Sequence, residues 1–216
     1  MSAWMFACAL IGTIYGIAHF FMKKSALYLK MITCGVGCAM FSGLFVVVYR
    51  ITLGGLPEGF HIGCLGIVGS FLFLLSANYG QMDTLVDDGS ENFKKTRRIA
   101  AIVPLILAAF YIFLILREKA FGSRLSLGFV AIILIPCAYY NFKHIIIFDV
   151  EMGLIRQIRA YNILALCYAF FTTFKYLTEY MEIMWLYVVS CMGVGIVSVC
   201  LLPALSRWYD RWIREA

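Results

Sequence analysis

Tyr161, Tyr168, Thr172, Lys175 and Glu179 follow one another at steps of 7, 4, 3 and 4 residues. Such steps return to one face of an α-helix, so the five side chains form a single stripe. Three hydroxyls, an ammonium and a carboxylate in a row can hydrogen-bond and counter-charge a small polar molecule. The side chains off the stripe, Leu164, Phe171 and Phe174, are apolar. Lys175 and Glu179 are also an i,i+4 pair, expected to neutralise each other near the outer surface, and Glu182, expected to open the seventh helix, could join them.

Asn78, Gln81 and Asp83 close an apolar run and predict a polar mouth to a helix bundle. The stretch continues to Asp87, Asp88 and Glu91. With Asp83 that makes four carboxylates within nine residues, enough in number for a divalent cation. Their spacing fits neither a calcium loop nor an Asp-Asp-x-x-Asp motif, and Asp88-Gly89-Ser90 reads as a turn and helix N-cap. No metal site is assigned. Tyr140 and His144 share a face, as do Cys137 and Asn141, on a helix that Pro136 interrupts. Part of this group is the aromatic belt of a membrane interface. His19 lies about one turn from the end of another apolar run, four residues after Tyr15. These eleven residues, from His19 to Glu179, are the candidate lining of a polar cavity.

Catalysis is poorly served. The histidines are His19, His61 and His144, and no H-x-x-x-H or H-E-x-x-H occurs, which removes the usual zinc hydrolases. No nucleophile–base pair can be read, so catalytic residues are assigned to none and an enzyme is disfavoured. The eight cysteines all fall in apolar runs, where they act as small apolar residues rather than a disulfide framework. Cys34 and Cys38 share a helix face without further ligands and are expected to pack. No cofactor is implied.

The elements that must hold these groups follow from composition. Apolar residues make up 63% of 216, charged residues 14%, and the mean hydropathy is +0.89. Soluble domains are roughly 25% charged, so a soluble enzyme, a nucleic-acid binder and a disordered chain are all excluded. An all-α, multi-pass membrane bundle remains. Seven runs reach or approach the ~20 residues that cross the hydrocarbon: 3–22, 31–49, 62–79, 99–116, 125–142, 160–177 and 183–205. They are continuous rather than alternating, which excludes a barrel. The first lacks a basic leading segment and is expected to be a retained helix rather than a cleaved signal. The segment 145–159 is expected to lie on the membrane surface. The whole chain, 1–216, reads as one transmembrane domain.

Thirteen of the 18 Lys and Arg fall on the side of the first, third and fifth connections and the tail. The other side has Arg50, Arg117, Lys119, Arg124 and Lys175. The positive-inside bias then predicts the N-terminus out and the C-terminus cytoplasmic, in a plasma (inner) membrane. Lys94, Lys95, Arg97 and Arg98 are expected to meet anionic lipid headgroups. Small residues at four-residue spacing, Gly12 with Gly16 and Gly35 with Ala39 and Gly43, allow close helix approach. They predict packing within the chain, with a homo-oligomer face as the alternative.

The run 183–205 carries no lysine, which excludes a retinal Schiff base there, and no Pro-Gln pair marks a small sugar carrier. No internal repeat of the transporter kind is visible. The expected function is a small-molecule- or lipid-sensing, or accessory, membrane module. A small-molecule transporter is the second reading and an intramembrane enzyme acting on lipid the third.

Overall fold

The computed structural model describes residues 1–79, 91–146 and 154–215, and every regular element among them is helical. The elements are α1 (Ser2–Gly16), α2 (Leu27–Leu53), α3 (Ile62–Ala77), α4 (Glu91–Ala100), α5 (Ile102–Arg117), α6 (Phe121–Ile146), α7 (Leu154–Tyr180) and α8 (Met184–Glu215). A π-helical turn, Ile17–Phe21, continues α1. Five segments are long and apolar enough to cross a membrane: Ser2–Phe21, Leu27–Leu53, Phe93–Arg117, Phe121–Ile146 and Met184–Ser206. The α3 helix is apolar but shorter. The α7 helix has the length, but the tyrosines, threonines and lysine of its stripe make it less apolar than its neighbours.

Most helices run past the apolar cores read from sequence, because backbone hydrogen bonding continues into the interface. The fourth run is two helices in succession, α4 and α5, parted at Ala101. The predicted surface segment 145–159 is not a separate piece where it is described. Residues 145 and 146 end α6, and α7 has begun by Leu154. Glu182 does not open the last helix. It stands in the left-handed region (φ 57°) of the turn that reverses the chain from α7 into α8.

The α1 helix packs on α2 and α8, α2 on α3, α3 on α6, α6 on α7, and α7 on α8, which closes a ring. The α5 helix packs on α6 and, over a shorter length, α7. Lipid gives apolar side chains no reason to leave it, so close backbone approach and buried polar pairs must hold such a ring. Gly12 and Gly16 meet that need inside the chain. A Cβ on Gly12 would lie 2.6 Å from the Ser198 carbonyl oxygen, and one on Gly16 2.5 Å from Thr33 Cγ2. Gly35 faces Ser70 and Phe73, and Gly43 faces Phe6, in the same manner.

Polarity is distributed inside out. Asn78, Asn141, Asn162, His144, Thr172 and Thr173 are buried, whereas Ile11, Phe41, Leu105, Ile112, Ile132 and Ile196 are exposed. Apolar flanks around a polar interior are what a bilayer requires of a helical protein. Together with the five long apolar helices, this makes the chain a membrane protein.

Candidate functional site

Four of the stripe residues, Tyr168, Thr172, Lys175 and Glu179, line one cavity of about 560 Å³. The helix periodicity that aligned them also points them into the ring. Phe174, off the stripe, is exposed, and Phe171 packs on Gly193 of α8, where a Cβ would meet its ring at 2.6 Å. The cavity lies at the end of the bundle that carries residues 54–61, 118–120 and 181–183. Its wall includes Glu58, His61, Cys64, Glu118 and Tyr187 alongside Met5, Ile67, Leu127 and Val194. The lining is thus apolar at its sides and polar along one wall.

The floor is aromatic. Tyr168 is buried and stacks obliquely on Phe71 at 4.9 Å, and Ser70 Oγ donates to its hydroxyl at 3.5 Å. One turn up, Thr172 is 3% exposed and its hydroxyl has no partner. Buried helical threonines in lipid ordinarily donate to the carbonyl four residues back. Thr13, Thr33, Thr173 and Thr178 all do so here, at 2.7–2.9 Å. Among the described residues Thr172 is the one buried threonine that does not.

Lys175 stands one turn above Thr172, its ammonium 4.8 Å from the Tyr176 ring centroid. Among the described residues it forms no salt bridge; Glu179 acts on it electrostatically, but the expected pair does not close to bonding distance. Lysine preceding glutamate at i,i+4 is the weaker order for a helical pair. Glu179 is exposed at the mouth, and so is Glu58. Glu118 is committed elsewhere. Its Oε1 accepts from the backbone N–H groups of Lys119 and Ala120 at 2.9 and 3.1 Å and caps the start of α6.

His61 sits just before α3, stacked on Phe45 at 5.4 Å, with Nε2 3.5 Å from Cys64 Sγ and a buried, unpartnered Nδ1. Burial first, and then the Lys175 ammonium across the cavity, push its pKa below the ordinary 6.5. The mouth is pinned where Gly59 (φ +69°) meets Gly122. A Cβ on Gly122 would lie 3.1 Å from Gly59 Cα, and Ser126 Oγ donates to the Gly59 carbonyl at 3.1 Å.

The remaining candidates are elsewhere. Tyr161 is buried, with an unpartnered hydroxyl, on the far side of the Tyr168–Phe71 floor. Asn78 donates to Asn141 Oδ1 at 2.7 Å, and Asn141 donates on to the Cys137 carbonyl at 2.7 Å, tying α3 to α6. Asn162, on α7, is also buried, with its amide unpartnered. Tyr140 meets Tyr79 edge-on at 5.3 Å, and His144 lies 6.5 Å from the Tyr140 ring, at that same end of the bundle. His19 is exposed, stacks on Tyr15 at 4.0 Å and donates from Nδ1 to the Tyr15 carbonyl at 3.1 Å. None of these lines the cavity. Gln81 and Asp83 lie outside the described residues.

The sequence reading missed His61, Cys64, Glu58 and Tyr187. His61 and Cys64 are three apart at the start of a helix, a spacing that was available to be read. Glu58 carries no pattern and reaches the site only through the fold. No group of three metal-ligating side chains occurs among the described residues. Neither a protein-family model, nor a curated protein, nor a solved structure shows detectable similarity to the chain.

Proposed function

We propose that this membrane protein is a binding module for a small molecule or lipid, sensing it or presenting it to a partner, through a cavity open on the outer side. The observation that carries this is the buried, unpartnered Thr172 hydroxyl beside the unpaired Lys175 ammonium in the wall of a 560 Å³ cavity. Pockets for small ligands span roughly 300–1,000 Å³ and combine apolar walls with a few convergent polar groups. An orphaned hydroxyl costs about 1–3 kcal/mol, which a ligand would offset. The Lys and Arg count supports a mouth on the outer side and a basic face of α4, with Lys94, Lys95, Arg97 and Arg98, toward an anionic inner leaflet.

A transporter is the second reading. It is favoured by the buried polar side chains of Tyr161, Asn78 and Asn141 beyond the floor, which would serve as a second station. One experiment separates the two. A lone cysteine at position 172, in a chain lacking the eight native cysteines, is reconstituted in oriented vesicles and treated with a water-soluble thiol reagent. Labelling from the outer side alone supports the module. Comparable labelling from both sides supports the transporter. Protection from both sides overturns both readings.

A further inference from the structure

We propose that the cavity takes an amphipathic zwitterion: a molecule with an anionic group, an ammonium group close to it, and an apolar body. This rests on the cavity being a binding site and names what it binds. The opposite charges of the site are present without a closed salt bridge. Among the described residues Lys175, below the mouth, feels Glu179 without bonding to it, and no cation is bonded to Glu58 or Glu179, which stand exposed above. Four residues of helix separate Lys175 from Glu179, a rise of about 6 Å between their Cα atoms. A zwitterion fills that step. Its anion meets the Lys175 ammonium beside the Thr172 hydroxyl, which is buried without a partner, with the His61 ring in the same wall. Its ammonium meets the mouth carboxylates. A simple anion would satisfy Lys175 but would enter past two glutamates of its own sign. A simple cation would be held at the mouth and leave Thr172 and Lys175 unmet. Below the charges, Met5, Ile67, Leu127 and Val194 offer an apolar surface that a bare headgroup would not use.

The zwitterion can come from water or from the membrane, as a free amino-acid-like molecule or as a phospholipid headgroup with its chain. Purified full-length protein in detergent is titrated with leucine, 4-methylpentanoate and 3-methylbutylamine, which share one apolar body and differ in charge. A parallel arm uses lysophosphatidylethanolamine and lysophosphatidylglycerol. Binding is read by calorimetry and by melting temperature. The expected result is that one zwitterion, leucine or the ethanolamine lipid, binds at least tenfold more tightly than its singly charged counterparts. Lys175→Met should abolish that binding, and Glu58→Gln/Glu179→Gln should weaken it tenfold or more. Which arm responds names the source. Equal binding of the anion and the zwitterion overturns the proposal while leaving the cavity intact as an anion site. Absence of binding by every probe also overturns it. Outer-side labelling at position 172 then tells whether the binding-module reading survives without it.

Discussion

At the scale of single residues, the site is defined by groups left without partners. Thr172→Val keeps the shape and removes the orphaned hydroxyl, so the empty protein should melt higher, by about 1 kcal/mol of stability. Thr173→Val, next door, breaks a bond to the Ala169 carbonyl and should gain nothing. A denaturation series on the pair checks the contrast. Lys175→Met should leave insertion and stability nearly unchanged, within about 1 kcal/mol, because no salt-bridged partner is stranded. A large drop in melting temperature would mean that the ammonium holds the bundle together. His61 gives a pH dependence whose sign follows from its lowered pKa. The unfolded chain takes up the proton first as pH falls. Stability should therefore be complete above about pH 6.5 and decline as pH drops through that value. His61→Gln should flatten the decline in a melting series from pH 7.5 to 5.

At the scale of elements, packing rests on glycine rather than on apolar burial. Gly16→Val would drive new methyl groups into Thr33 and Leu202 and should cost about 1–3 kcal/mol or more. Gly128→Val, with nothing within 4 Å of its Cβ, is the control that should stay neutral. The same scale shows what could be read in advance. Tyr168, Thr172, Lys175 and Glu179 were legible because helix periodicity is a local property of sequence. That Tyr161 belongs to another compartment was not, because the ring of Phe71 from α3 closes the floor under Tyr168. No spacing within α7 reports a contact from a helix nearly a hundred residues away. The link of Asn78 to Asn141 was invisible for the same reason, although each was conspicuous as an amide in an apolar run. Lys175 and Glu179 do act on each other, as their spacing implies, but without a direct salt bridge. Sequence supplies the spacing of two charges, but not the distance at which the side chains settle.

For the whole molecule, composition sufficed for class and nearly for helix number, since the bilayer admits so few architectures. A reporter fused after Ala216 should behave as a cytoplasmic one, and outward activity there would reverse the orientation drawn from the Lys and Arg count. The order of helices around the ring was not legible, and with it went the contribution of Glu58, His61 and Cys64 to the wall. The contact between Gly59 and Gly122 has a consequence in time as well as in affinity. Two glycines touching backbone to backbone set the width of the entrance, and Ser126 holds them together. Gly122→Val would wedge residues 54–61 away from α6 without touching Thr172 or Lys175. Glu58 and His61 ride on that segment, so dissociation should quicken more than association and affinity should fall, a pattern that stopped-flow measurement would resolve. With an occupant bound as proposed, the native pair of glycines would make the entrance a brake on exchange and lengthen the occupant's stay.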